Sequence, residues 1–156
     1  MCAQEGQASV PGEVGMEVFT LDDVQLAGKT VLLRVDINSP VDRRAGQSER
    51  TIKDDTRIRR SLPTMRELVE RQARVVILAH QGDPLDYENF TMLAQHAQAL
   101  SQLLDLPVAY LDDVAGPAAR ERIRGLQNSE ILLLENVRIH TEETIVFEES
   151  VRLSPQ

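Results

Sequence analysis

Residues 74–82 read RVVILAHQG, and the fold is decided there. Val75 to Ala79 form an unbroken apolar run, shorter than a helix needs and too continuous for a strand with one wet face. A run of this kind fits a strand buried on both faces, as in a parallel sheet. It ends by presenting one imidazole, His80, just before a glycine turn at Gly82. Three other runs share the pattern: TVLLRVD (30–36), PVAYLDD (107–113) and EILLLENV (130–137).

Helical patterns separate the four runs. Residues 57–72 place Ile58, Leu62, Met65 and Leu68 on one face, and Pro63 is expected to start a second helical segment inside that span. Residues 91–104 open on Thr91 as an N-cap and space Leu93, Ala97, Leu100 and Leu104 for a helix. PAARERIRGL (117–126) carries Pro117 in its first turn. The order β-α-β-α-β-α-β predicts an α/β domain, a parallel β-sheet with helices on both faces in a Rossmann-like three-layer arrangement with right-handed crossovers. Residues 1–15, MCAQEGQASVPGEVG, lack periodicity and are expected to be a disordered extension, with Met16 beginning the structured part.

The bulk numbers agree with one such domain. The chain has 156 residues, 42% apolar but only 3% aromatic and without Trp, so its core rests on Leu, Val, Ile and Ala. Cys2 is the sole cysteine, which excludes a disulfide framework or a cysteine metal site and suits a reducing cytosol. The N-terminus has no basic and apolar signal pattern, and no apolar run approaches a membrane span. The net charge of −8 is unevenly spread: residues 29–74 hold 12 of the 17 Lys and Arg against 7 of the 25 Asp and Glu. An acidic chain with one basic segment does not fit a general nucleic-acid binder. The segment suits a local patch for a small anion, although charge counts alone favour solvated helix faces.

The topology places a site before any motif is named. Open α/β sheets bind ligands outside the carboxyl ends of their strands. The residues there are Asp36 and Asn38, then His80 to Asp83, then Asp112 and Asp113, then Glu135 to Arg138. A helix starting near Asp55 or Thr56 would add Arg57 to the same rim. Asp36 and Asn38 stand two apart and can point the same way off a strand end, so they can bind the hydroxyls of a polyol acid. An Asx turn explains them equally well. AGKT (27–30) imitates the end of a phosphate-binding loop, but Asp23 occupies the first glycine position and the stretch precedes a strand. No G-x-G-x-x-G or G-x-S-x-G is present, and His80, His96 and His140 lack zinc-ligand spacing.

Taken in order, VLLRVDINSP, DDTRIRRSLPTM, VVILAHQG and ILLLENVRIHTEE resemble successive motifs of the N-terminal domain of phosphoglycerate kinase, most closely its archaeal-type branch. The similarity runs from about Met16 to the end, and the ordered spacing of four motifs makes it specific. The resemblance implies the 3-phosphoglycerate-binding half of an enzyme that moves a phosphoryl group between 1,3-bisphosphoglycerate and ADP. It implies a cytoplasmic protein without nucleic-acid or membrane partners. Mg-ATP and Mg-ADP would bind a C-terminal nucleotide domain that this chain does not contain. Residues 16–156 would be an incomplete substrate domain lacking the family's last strands, with an apolar face or edge left uncovered, a tendency to aggregate, and no turnover on its own.

The same resemblance implies site residues. Arg57 matches the catalytic arginine, and Asp36 and Asn38 match the pair that holds the substrate's hydroxyl end. His80 matches a substrate-contacting histidine, Arg138 an anchor for the substrate's own phosphate, and Gln81, Gly82 and Asp83 complete the substrate set. Asp83 departs from the family's H-x-G-R-P pattern, since a carboxylate there would repel a phosphate. That departure supports a second reading, a degenerate and non-catalytic binding module of the same fold. A receiver-type domain with Asp36 as phosphoacceptor would leave the three downstream motifs unexplained.

Overall fold

The computed structural model describes residues 19–43, 50–82, 89–140 and 143. Strand β1 (Thr30–Arg34) leads into an antiparallel hairpin of β2 (Val41–Arg43) and β3 (Arg50–Ile52). Then follow α1 (Thr56–Glu70), β4 (Arg74–Leu78), α2 (Ala94–Leu104), β5 (Val108–Leu111), α3 (Pro117–Arg124) and β6 (Ile131–Leu134). Single turns of 3-10 helix occupy Leu21–Asp23 and Val137–Ile139. The main sheet is parallel throughout, in the order β1-β4-β6-β5.

Successive strand residues face opposite layers. Val75, Ile77, Ile131 and Leu133 pack against Ile58, Met65 and Leu68 of α1 and Ala97, Leu100 and Leu104 of α2. Val76, Leu132 and Leu134 turn the other way, onto Ala119 and Ile123 of α3. The helices thus lie on both faces, as the alternation of patterns predicts. Each fully buried Leu, Ile or Met contributes about 1.5–3 kcal/mol, and the central strands β4 and β6 supply the densest set of them.

Several local expectations need correction. Pro63 does not begin a second segment; α1 runs unbroken from Thr56 to Glu70 with Pro63 inside it. Ile58, Leu62, Met65 and Leu68 form one buried stripe across the proline, and burying that stripe outweighs one missing hydrogen bond. Pro63 itself sits on the exposed face, where the carbonyl four residues earlier can be hydrated. Helix α2 starts at Ala94 rather than Thr91, because the residues before it serve β6's loop. The Leu93 N–H donates to Glu135 Oε1 at 2.9 Å, and the Thr91 carbonyl accepts from Asn136 Nδ2 at 3.0 Å. The hairpin of β2 and β3 was not expected at all.

Strand β1 is not buried on both faces. Leu32 is 64% exposed, while Val31 and Leu33 pack against the α1 and α2 layer. Helix α3 covers the β5, β6 and β4 side of its face and leaves Leu32 on an open apolar depression of about 530 Å³, shared with Leu78, Leu134, Val137 and Ile123. Residues 1–15, Met16 and Asp83 lie outside the described residues. Among the described residues no helix is long and apolar enough to cross a membrane.

Pro63→Ala is expected to stabilise the chain by at least about 1 kcal/mol, because it restores a helix N–H on an exposed face; urea unfolding midpoints check this. Leu32→Lys is expected to change stability by less than about 0.5 kcal/mol while reducing self-association through the open face, which light scattering would read.

Candidate functional site

The site is assembled where β1 and β4 end and α1 begins. Asp54 Oδ1 accepts from the Thr56 N–H at 2.8 Å and from its hydroxyl at 2.5 Å. This starts α1 and puts Arg57 on its first turn. Arg57 Nη1 then donates to Asp36 Oδ2 at 2.5 Å. The other oxygen of Asp36 accepts from the Asn38 N–H at 3.1 Å, so the Asx turn is present and the same carboxylate also holds the arginine. Both side chains of this ion pair are more than half exposed. Such a pair adds little stability, so Arg57 is aimed without being committed.

Asn38 Oδ1 accepts from the Gly82 N–H at 3.1 Å, which makes its Nδ2 the end of the amide left to meet a ligand. Gly82 has φ +85°, and a Cβ there would stand 2.8 Å from the Phe90 backbone. Only glycine meets both conditions without strain. Asn38, Arg57 and Gly82 line a depression of about 370 Å³ together with Ser39, Pro40, Asp54 and Asn89. Arg57 also borders a second depression of about 430 Å³, with Val35, Asp36, Arg60 and Ser61.

His80 is half-buried on the other side of Asp36. Burial, followed by the Arg138 charge, lowers its pKa, with Asp36 opposing and Arg34 adding to the fall. The shift favours the neutral imidazole at pH 7. Desolvation pushes Asp36 upward, but Arg57, the Asn38 N–H, and His80 outweigh it, so its pKa lies below the ordinary carboxylate value. Arg138 sits in the middle of the turn after β6, where its N–H donates to the capping Asn136 Oδ1 at 3.1 Å. Arg34 pairs with Glu143 nearby. Among the described residues no three His, Cys, Asp or Glu side chains converge as a metal-binding group.

The structure separates the expected set. Asp36, Asn38, Arg57, Gly82, His80 and Arg138 stand around the rim, whereas Gln81 is fully buried behind it. Glu135, expected at the rim, is also fully buried; it accepts from the Leu93 N–H and bonds the Tyr110 hydroxyl. Burial, then Glu135, raises the Tyr110 pKa, so that hydroxyl remains a donor. Asp113 serves α3 instead, accepting from the Gly116 and Ala119 N–H groups. Residues that sequence reasoning missed are Ser39, Asn89 and His96, all tied to Gln81; Asn136, expected at the rim, is fully buried and holds the Gln81 backbone. The one available signal was His96, a polar residue on the apolar stripe of α2.

Burial holds His96 at about 4, from an ordinary 6.5. Between those values the unfolded chain takes up a proton that the folded chain refuses, so stability falls as pH drops through that window. Stability at pH 5 is expected to be about 2 kcal/mol lower than at pH 7.5, a loss that His96→Gln largely removes in urea melts at the two pH values.

Comparison with known proteins gives one consistent answer. The family model described as phosphoglycerate kinase matches residues 21–154. The phosphoglycerate kinase of Methanothermobacter thermautotrophicus is 53% identical over 132 residues, which is 85% of this chain and 31% of that protein. That of Saccharolobus solfataricus is 47% identical over 130 residues, 83% of this chain and 30% of that protein. The crystal structure of phosphoglycerate kinase from Pyrococcus horikoshii matches at a TM-score of 0.73 and 44% identity, covering 82% of this chain and 30% of that one. The chain thus spans about 30% of the length of the relatives it matches.

Proposed function

The chain belongs to the phosphoglycerate kinase family, and from that premise we propose that its rim is the phosphoglycerate-binding half of a cytosolic glycolytic phosphotransferase. The reaction moves a phosphoryl group between the carboxyl oxygen of 1,3-bisphosphoglycerate and ADP. The Mg-nucleotide, in this reading, is held by the part of the family protein that the chain does not span.

The observation that carries the proposal is Arg57, set on the first turn of α1 by Asp54 and Thr56 and aimed by Asp36. Phosphoryl transfer asks the protein mainly for in-line positioning and cancellation of charge on the moving group. A planar guanidinium with a fork of donors suits that, and lysine would not replace it. The exposed ion pair lets an anionic ligand compete with Asp36 for Arg57. Asn38 Nδ2 and Asp36 supply a donor and an acceptor for the substrate's hydroxyl end. A neutral His80 contributes hydrogen bonding without drawing off the proton of a leaving group, since no proton needs to move. Arg138 supplies the positive charge for the substrate's own phosphate.

A second reading, the non-catalytic binding module, rests on Asp83, whose carboxylate departs from the H-x-G-R-P pattern that the family resemblance implies. Calorimetric titration with 3-phosphoglycerate tests both. Binding by the parent, weakened about 10- to 100-fold in both Arg57→Ala and Arg138→Ala, is expected. No binding at millimolar ligand would overturn the substrate-domain reading for this chain. If Asp83→Arg then restores binding, the degenerate module is the better description.

A further inference from the structure

Gln81 stands between two rim residues, His80 and Gly82, yet its side chain is fully buried and every polar position of its amide is used. Oε1 accepts from the Ser39 N–H at 2.9 Å and lies 3.0 Å from His96 Nε2. Nε2 donates to the Ser39 carbonyl and to the Asn89 carbonyl, both at 2.8 Å. The backbone of Gln81 is held as fully, its N–H donating to Asn136 Oδ1 at 3.1 Å and its carbonyl accepting from Asn136 Nδ2 at 2.9 Å.

The orientation of this amide is dictated by its partners. The Ser39 N–H needs an acceptor, and two carbonyls need donors, so Oε1 must face Ser39 N and His96. An amide oxygen offers only lone pairs, so His96 must carry its proton on Nε2. The other ring nitrogen, Nδ1, is buried without a hydrogen-bond partner among the described residues. A bare lone pair in that place costs less than an unpaired N–H would, which favours the same tautomer. By bonding both the N–H and the carbonyl of Ser39, Gln81 does what a neighbouring strand would do. It does so beyond the last ladder pair, Arg34 with Leu78, where the backbones of β1 and β4 separate. The Asn38 to Gly82 contact lies directly beside this clamp.

We propose that Gln81 and His96 are a positioning pair for the anion-binding rim. They join the loops after β1 and β4 so that Asn38 and Gly82 face Arg57 across one depression. The proposal rests on the phosphoglycerate reading for its ligand, but not for its geometry. Without the clamp, the Ser39 N–H and carbonyl lose the Gln81 amide, the loop after β1 detaches, and Asn38 leaves Gly82.

The test uses the ¹⁵N-labelled chain and the variants Gln81→Leu, His96→Leu and His96→Gln, the last of which keeps an N–H donor. In the parent, long-range ¹⁵N spectra should show His96 with its proton on Nε2. Gln81→Leu and His96→Leu should speed hydrogen exchange at the Ser39 and Gly82 amides and weaken 3-phosphoglycerate binding, each by at least about tenfold. His96→Gln should stay within about threefold of the parent in both. Ile131→Val supplies a control that loses stability in the core without touching the clamp. The proposal is overturned if the two leucine variants exchange and bind as the parent does, or if His96→Gln fares no better than His96→Leu. It is equally overturned if Ile131→Val reproduces their losses. A parent that binds no 3-phosphoglycerate counts against the phosphoglycerate reading alone, and the exchange rates and tautomer still decide the pair. Should Gln81→Leu fail to fold, the two His96 variants decide it.

Discussion

Backbone groups at the carboxyl ends of a parallel sheet lose their ladder partners where the strands diverge, yet many stay buried and must be satisfied. In this chain three side chains meet that demand. Gln81 bonds the loop after β1, Asn136 bonds the backbone of Gln81 and Thr91, and Glu135 bonds the start of α2. The polar layer they form is what lets the strand ends stop at one level and present side chains outward. Its members are fully buried and satisfy one another, which makes the layer both rigid and specific. The apolar core beneath sets stability; this layer sets where the rim residues stand.

Above the layer the chemistry is arranged by charge. Arg57 is held by the exposed carboxylate of Asp36, and Arg34 by the carboxylate of Glu143. Half-burial among cations favours the neutral form of His80. The result is a rim with positive groups at its edges, a donor amide at Asn38, and a glycine that allows close approach. These groups are the ones the proposed phosphoglycerate reading draws on.

Much of the architecture was legible from the residues. The four apolar runs became the four parallel strands, and Pro117 opens α3. Pro63 was misread because proline's local cost is visible in sequence, while the buried stripe that overrides it depends on the sheet below. The hairpin of β2 and β3 was missed because three-residue strands carry no period to detect. Gln81, which the resemblance groups with the substrate set, is fully buried behind the rim. Past the end of a strand, one residue faces the rim and the next the interior, and only the course of the backbone says which.

The sequence by itself determined the layer order, the four strands of the parallel sheet, and the strand ends from which the rim is built, because burial periodicity and motif spacing are local properties. Tertiary structure alone decided three things. It made β1 an edge with Leu32 exposed, since α3 is too far across the sheet to cover it. It joined Asp36 to Arg57, 21 residues apart, through the entry angle of α1. And it turned Gln81 inward, where its amide bonds the Ser39 N–H, the Ser39 and Asn89 carbonyls and His96, because backbone groups buried past the strand ends must be satisfied.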